Sequence, residues 1–378
     1  MTEPQVTLQR SEHIPELQSL RGIGAVAVVV AHCLVSYDVP PWFIQFQKVL
    51  ANGQAAVVVF FVLSGYVLTR SLQKARFNRD NVLRFYVQRM FRLYPAIWAA
   101  SALGLAYLFA LHWQIPPDRP GPAIRHAFRP DRFDALHIVA SIAGMTTFIV
   151  PQLWTIFVEI VASLALPGIA FAALYRKRLF AYLLALALMV SFAVPNTYYH
   201  TTMYLVDFVV GAGLAIPGLA ATLFQNAPAR SVVAAGFLIF ACTQFLPFDY
   251  YSPVIHLVEM TAATLIIGVL IGAAGRVHLL RSRFLLFLGD ISYSIYLLHF
   301  VVLCTVIKGF TLLQEAVSAR VDTITLAVAL ACVTCAVTVL LAWLTFTYIE
   351  KPGIKLGRQV LQGAIAPWGR RRAGTVVP

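Results

Sequence analysis

An arginine and a histidine share one apolar stretch, LQSLRGIGAVAVVVAHCLVSY, residues 17–37, which is long enough to cross a lipid bilayer. Arg21 and His32 are close to three helical turns apart, so their side chains lie on nearly the same face, about 16 Å apart along the axis. Ionisable groups inside a bilayer are costly and are functional by default. A cation at the helix mouth and a proton acceptor halfway across suit a long anionic ligand whose reactive end reaches the membrane centre.

Both residues also have a structural explanation. The side chain of Arg21 can extend to the aqueous interface while its stem stays among apolar groups. His32 can be a core residue that bonds a neighbouring carbonyl. Because anchoring explains an arginine at the mouth better than a histidine near the centre, we interpret His32 as the functional proton acceptor.

A second cationic motif, RMFRLYP, stands at the entrance of the third apolar run. Arg89 and Arg92 are three residues apart and therefore lie on one helix face. Guanidinium groups in this arrangement hold phosphates through forked hydrogen bonds. Anchoring of the helix by basic residues on the cytoplasmic side is the alternative explanation.

A carboxylate enters the predicted membrane region in the motif WTIFVEI. Glu159 lies about 7–8 Å along its helix from Trp154. We expect Glu159 to descend from the outer side and to share one central cavity with His32, where a carboxylate would orient the imidazole and raise its basicity. An ion pair between Glu159 and an arginine of an external loop is the alternative.

Composition indicates an all-α polytopic membrane protein with one integrated domain. The 378 residues are 60% hydrophobic and only 12% charged, whereas a soluble protein carries roughly twice that charge. The net charge of +13 does not indicate nucleic-acid binding, because the basic residues cluster between apolar runs, where they orient the chain and contact lipid headgroups. The five cysteines predict neither a disulfide framework nor a metal site.

Charge also decides the topology. The basic segment 70–92 is predicted to be cytoplasmic. The later basic clusters fall on the same side if 136–150 does not cross, and this run is only about 22 Å long as a helix, where a crossing needs about 30 Å. We predict that 136–150 is an external interfacial or re-entrant helix, that 113–135 forms an external cap, and that both termini are cytoplasmic. The ten predicted transmembrane helices are 20–37, 54–72, 92–112, 153–175, 179–195, 201–217, 230–247, 254–275, 286–308 and 323–347. The predicted regions are a cytoplasmic N-terminal segment (1–19), a transmembrane domain (20–348) and a basic cytoplasmic tail (349–378).

Six motifs occur in the same order as in a known family of membrane proteins. They are LRGIGAVAVVVAH with Arg21 and His32, FFVLSGYVL (60–68), RMFRLYP (89–95), LWTIFVEI (153–160), LGDISYSIYLLHF (288–300) and FTYIEKP (346–352). Together they resemble the bacterial acyltransferase-3 integral membrane proteins, which O-acylate surface and secreted polysaccharides, lipopolysaccharide sugars and some small glycosides. The resemblance covers about residues 14–355. Asp290 departs from it, because many members carry a basic or neutral residue there.

The resemblance implies an acyltransferase of the bacterial cytoplasmic (inner) membrane. It implies acetyl-CoA or another acyl-CoA as a co-substrate on the cytoplasmic side, no permanently bound cofactor, and a saccharide or glycolipid hydroxyl as the acceptor on the outer side. The CoA phosphates would meet Arg21, Arg89 and Arg92, and His32 would act as general base or take the acyl group itself. The expected partners are the lipid bilayer and, as a separate chain, a polysaccharide-assembly protein. No nucleic acid is expected among them.

Further polar residues in the spans join this hypothesis. Ser64 and Gly65 would let the pantetheine arm pass, with a helix-packing Ser-Gly pair as the alternative. His299 matches a family motif and is predicted at the site. Asp207 and Trp154 would contribute to an acceptor vestibule, although the aromatic residues of this rim equally suit an interfacial belt.

Two other classes of function compete with the acyltransferase. In a proton-coupled secondary transporter or flippase for a glycan or anionic solute, His32, Glu159 and Asp207 would relay protons. Inverted repeats and paired broken helices, which are frequent in transporters, are not apparent in the sequence. A membrane protein that binds acyl-CoA without turnover is the third possibility. The sequence leaves open the identity of the acceptor, the identity of the acyl group and whether transfer passes through a covalent acyl-enzyme intermediate.

Overall fold

The computed structural model describes residues 14–75, 77–112, 124, 134–195, 197–317 and 321–372, which form helices and no strand. The helices are α1 (Pro15–Leu34), α2 (Pro41–Leu50), α3 (Gly53–Lys74), α4 (Arg79–Tyr107), α5 (Ala135–Ile142), α6 (Leu153–Tyr175), α7 (Lys177–Ala193), α8 (Thr201–Leu214), α9 (Leu219–Phe224), α10 (Ala229–Cys242), α11 (Pro253–Gly272), α12 (Arg283–Asp290), α13 (Ser292–Val317), α14 (Thr323–Thr345) and α15 (Lys351–Arg372). The all-α class is as predicted.

Seven helical segments in the described part of the chain are long and apolar enough to cross a membrane. They contain α1, α3, α4, α6, α11, α13 and α14, which correspond to seven of the ten predicted spans. The predicted spans 179–195, 201–217 and 230–247 correspond to α7, α8 and α10, which have 17, 14 and 14 residues. The chain is therefore a membrane protein, and the count of ten spans stays a prediction.

The predicted external elements are described only in part. The cap at 113–135 lies almost wholly outside the described residues. In 136–150 the structure has the eight-residue α5, about 12 Å long and too short to cross. Asp134 caps this helix by accepting a hydrogen bond of 2.8 Å from the main-chain nitrogen of His137. Hydrogen bonds from His137 lower the pKa of the Asp134 carboxyl, which therefore stays ionised at the helix N-terminus.

Helix α1 is central and contacts α3, α12, α13 and α14. Glycines allow its close approach to α12, because a Cβ on Gly22 would lie 2.7 Å from the main-chain nitrogen of Gly289. Gln18 fixes the same contact by donating from Nε2 to the Leu286 carbonyl (2.9 Å) and to Asp290 Oδ1 (2.8 Å). Asp290, the departure from the family pattern, thus joins α12 to α1.

The predicted span 286–308 is two helices rather than one. Helix α12 ends at Asp290 and α13 begins at Ser292, whose hydroxyl donates to the Gly289 carbonyl at 2.8 Å. The side-chain hydroxyl takes the place of a main-chain partner at this break. The longer α13 is almost wholly buried from Ser292 to Cys304, which is the part that carries His299.

A helix follows α14 where the sequence indicated only a basic tail. A π-helical turn at Phe346–Glu350 leads from α14 into α15. Helix α15 packs on α4, because a Cβ on Gly353 would lie 2.7 Å from Pro95 Cγ and one on Gly357 would lie 2.6 Å from Phe91 Cβ. This small-xxx-small pair lets α15 approach the part of α4 that carries Arg89 and Arg92.

Helix α2 lies at the surface with one apolar face exposed. Trp42, Phe46 and Leu50 are exposed, whereas Phe43 and Gln47 are buried. An amphipathic helix with a tryptophan on its apolar face suits the interface of a membrane.

Candidate active site

His32 lies in the last turn of α1 with its ring held by the main chain. Its Nδ1 is 2.8 Å from the Val28 carbonyl oxygen. A carbonyl only accepts hydrogen bonds, so Nδ1 carries the proton and Nε2 presents a lone pair. The ring also packs edge-on against Phe300, with centroids 5.7 Å apart. This is the tautomer and the restraint that a general base needs.

His32 opens into a cavity of about 480 Å³, here called the histidine cavity. Trp154 also lines it, as does the α2–α3 turn. Several lining side chains are buried but lack a partner for a polar atom in the described part of the chain. These atoms are Oε1 and Nε2 of Gln54, Oε1 of Gln152 and the Tyr204 hydroxyl. Because buried polar groups are normally hydrogen-bonded, this cavity is suited to a ligand rich in hydroxyl groups.

Asn52 anchors the α2–α3 turn of this cavity. Its Oδ1 caps α3, and its Nδ2 donates to Glu259 Oε1 at 2.7 Å. Asp207 was predicted to line the acceptor vestibule, but it is fully buried and does not line the cavity. Its Oδ1 lies 3.1 Å from Nε2 of His256, whose ring packs edge-on against the ring of Tyr204 with centroids 5.0 Å apart. Asp207 is therefore a supporting residue behind Tyr204.

A second cavity of about 330 Å³, here called the arginine cavity, holds four guanidinium groups. They belong to Arg21, Arg89, Arg92 and Arg358. Three of these four were predicted to bind acyl-CoA. Arg358 was missed, because the sequence offers it only as one of several basic residues after the last apolar run.

Two of the four guanidinium groups have carboxylate partners. Arg89 Nη2 lies 2.6 Å from Glu159 Oε1, and Arg92 Nη1 lies 2.7 Å from Oε1 of the fully buried Glu350. Within the part of the chain that the structure describes, Arg21 and Arg358 have no carboxylate within 4.0 Å. The four arginines outnumber the two paired carboxylates, so the cavity carries a net positive charge, and Arg21 and Arg358 are the two that lack a direct ion pair.

The position of Glu159 differs from the prediction. It lines the arginine cavity and pairs with Arg89, whereas His32 lines the histidine cavity. The imidazole of His32 is oriented by Val28 instead of by a carboxylate. Helix α6 is rotated so that Trp154 lines the histidine cavity and Glu159 lines the arginine cavity.

Ser64 and Gly65, which were predicted to act together, face different surroundings. Ser64 lines the arginine cavity. Gly65 does not, because it faces α8, where a Cβ would collide with the main chain of Phe208. Gly65 therefore serves the contact between α3 and α8 rather than a ligand, which is the packing alternative considered for the pair.

The two cavities share a wall. Val57 and Tyr296 line both of them. The Tyr296 hydroxyl accepts a hydrogen bond of 2.9 Å from Thr155 Oγ1, which fixes the phenol. Arg21 and His32 thus lie along one helix, as predicted, but in two chambers that meet at this wall.

The chain matches a family described as an acyltransferase domain, over residues 14–343. That range contains His32 and the wall between the cavities, together with three of the four arginines. The chain belongs to this acyltransferase family.

Three relatives are similar along most of the chain. YrhL of Bacillus subtilis (strain 168), which carries a provisional name as a peptidoglycan O-acetyltransferase, is 28% identical over 91% of this chain and 55% of its own length. The peptidoglycan O-acetyltransferase OatA of Listeria monocytogenes is 23% identical over 92% of this chain and 56% of its own length. ORF330 of Acidianus two-tailed virus, provisionally named an acetyltransferase, is 25% identical over 78% of this chain and 84% of its own. The chain thus spans about half the length of YrhL and OatA. No solved structure matches it.

Proposed function

We propose that the protein is a membrane O-acyltransferase. It moves an acetyl or other short acyl group from acyl-CoA to a hydroxyl of a cell-envelope or secreted saccharide. The observation that carries this proposal is the pair of adjoining cavities, one rich in arginine and the other lined by a histidine base and unpartnered amides, which meet at Val57 and Tyr296.

The arginine cavity suits the donor. Acyl-CoA carries a pyrophosphate and a phosphomonoester, and guanidinium groups bind phosphate through forked, charge-assisted hydrogen bonds. The lining also includes apolar residues such as Phe61 and Leu68, which would pack along the pantetheine arm. In the topology that we propose, with ten spans in the cytoplasmic membrane and both termini inside, this cavity faces the cytoplasm.

The histidine cavity suits the acceptor. Amide and phenol groups without partners would be satisfied by the hydroxyl and acetamido groups of a sugar, and Trp154 offers a ring on which a sugar can stack. The names of YrhL and OatA point to peptidoglycan among the possible saccharides. We therefore propose an N-acetylhexosamine glycan as the first acceptor to test.

The reaction follows from the free Nε2 of His32. The imidazole takes the proton of the acceptor hydroxyl as its oxygen attacks the thioester carbon. A carbon–oxygen bond forms, the carbon–sulfur bond breaks, and the proton passes from His32 to the departing CoA thiolate. The base is neutral again at the end of the cycle, so one imidazole serves each turnover.

The test uses the purified protein in proteoliposomes with labelled acetyl-CoA and an N-acetylhexosamine oligosaccharide. We expect CoA release that depends on the saccharide, and label on the saccharide. The rate of acyl transfer by the variant His32→Ala should be lower by about 100-fold or more, which is the usual contribution of a general base. The variant His278→Ala, which removes an exposed imidazole, is the control and should keep the activity. No CoA release with any saccharide acceptor would overturn the proposal.

Secondary transporters also have a polar site near the bilayer midplane that is reached alternately from the two sides of the membrane. The same experiment separates this alternative, because a transporter would carry label into the vesicles without cleaving the thioester. Uptake with intact acetyl-CoA would favour transport and would remove His32 from acyl-transfer chemistry.

A further inference from the structure

The arginine cavity has two kinds of arginine. Arg89 and Arg92 are neutralised by Glu159 and Glu350 at 2.6 and 2.7 Å. Arg21 and Arg358 lack such a partner in the described residues. An anionic ligand gains most from cations that no carboxylate already neutralises, because it displaces no existing ion pair. Arg21 and Arg358 are therefore the two residues on which the phosphates of a ligand would bind.

Arg358 reaches the cavity because of the way α15 is held. Gly353 and Gly357 place the helix against Pro95 and Phe91 of α4. Ile354 and Arg358, one turn apart, then share the face that lines the cavity. Lys355 follows Ile354 directly, is exposed and does not line the cavity. The position of Arg358 is thus fixed by packing and differs from that of its basic neighbour.

The two unneutralised arginines differ in depth. Arg21 belongs to the central helix α1 and is partly buried, whereas Arg358 is exposed on α15, at the cavity mouth. A molecule of acyl-CoA that enters with its thioester first brings its pyrophosphate into the cavity before its adenosine. The 3′-phosphate of the adenosine ribose enters last and stays nearest the mouth.

We propose that Arg358 binds the 3′-phosphate of acyl-CoA and that Arg21 binds the pyrophosphate. This assignment rests on the proposed donor. Arg358 lies outside the residues 14–343 that match the acyltransferase family. Because dephospho-CoA lacks the 3′-phosphate, the contact with Arg358 would favour CoA over its dephosphorylated form. Arg89 and Arg92 would instead support the cavity through their carboxylate partners.

The test compares binding of acetyl-CoA and acetyl-dephospho-CoA to the purified full chain in nanodiscs. We expect the wild-type protein to bind acetyl-CoA about tenfold or more tightly, as one charge-assisted contact provides. In Arg358→Gln the two ligands should bind equally. The control variant Lys355→Gln removes a nearby positive charge that is not in the cavity and should keep the preference.

The outcomes are distinct. Equal binding of both ligands by the wild-type protein, or an undiminished preference in a folded Arg358→Gln variant, would overturn the role of Arg358 while leaving acyl-CoA as the donor. A loss of preference in Lys355→Gln as large as in Arg358→Gln would reduce the effect to the general charge of the helix and would also overturn it. Failure of the wild-type protein to bind either ligand would instead refute the proposed donor. The variant Arg358→Lys keeps the charge without the fork and should retain part of the preference.

Discussion

The imidazole ring of His299 packs against that of His32, with centroids 5.2 Å apart and planes inclined by 50°. His299 is fully buried, and its Nδ1 lies 2.7 Å from the Tyr296 carbonyl oxygen. It does not line the histidine cavity. His299 therefore holds the ring of His32 from behind and is a positioning residue.

Replacing His299 with leucine should lower kcat about tenfold or more and leave KM for acetyl-CoA unchanged. The reason is that His32 would lose a flat neighbour and gain rotational freedom, and a small misplacement of a catalytic group is costly in rate. The variant His299→Phe keeps a flat ring at this position, and its kcat should fall less than that of the leucine variant. Steady-state kinetics at varied acetyl-CoA provides both constants. An equal loss in the two variants would show that His299 acts by its nitrogen atoms.

The ion pair of Arg89 and Glu159 should contribute to stability rather than to proton transfer. Both side chains are mostly buried, at 13% and 17% exposure. Glu159→Gln should destabilise the protein by about 2–3 kcal/mol, because it leaves a guanidinium without its counter-ion.

The double variant Arg89→Gln/Glu159→Gln should be less destabilised than the sum of the two single changes, as a coupled pair requires. Unfolding in detergent measures all three. Strict additivity in this cycle would mean that the two groups do not interact in the folded protein.

Blocking the wall between the cavities should uncouple donor binding from transfer. Val57→Phe adds bulk where the two cavities meet. We expect affinity for acetyl-CoA close to that of the wild type and little acyl transfer, because the thioester would no longer reach His32. Val57→Ala is the matched variant and should keep the transfer. A fully active phenylalanine variant would place the acyl group on another route.

Gln54→Leu should weaken use of the acceptor without loss of stability. The Gln54 amide is buried and has no partner for either polar atom in the described residues, so leucine removes a polar group that folding does not satisfy. We expect a higher KM for the saccharide, an unchanged KM for acetyl-CoA and a melting temperature equal to or above that of the wild type. An unchanged saccharide KM would exclude contact between this amide and the acceptor.

The sequence predicted the helical membrane class and the common face of Arg21 and His32, since both depend on local periodicity. It did not predict that Glu159 would pair with Arg89, 70 positions away. The rotation of a helix about its axis is set by its neighbours, and a nearly all-apolar span such as α6 leaves that rotation open. From the sequence alone, a carboxylate can therefore be assigned to a membrane span but not to the cavity that it lines.

Arg358 escaped prediction for a different reason. Basic residues after a last apolar run are typical of any membrane protein with a cytoplasmic end. The signal that distinguishes it is the pair Gly353 and Gly357, which indicates close packing of a helix only once a partner is known. The partner surface, Phe91 and Pro95, belongs to a helix far away in the chain.

The ion pair between Arg92 and Glu350 spans the edge of the shared family region, which ends at residue 343. A chimera that exchanged acyltransferase domains between relatives at that edge would pair Arg92 with an acid carried by a foreign segment, whose helix is not fitted to Phe91 and Pro95 of α4. Junctions placed beyond residue 358 would carry the acid, the two glycines and Arg358 along as one inherited unit. We expect grafted enzymes to tolerate the later junction and to fail at the earlier one.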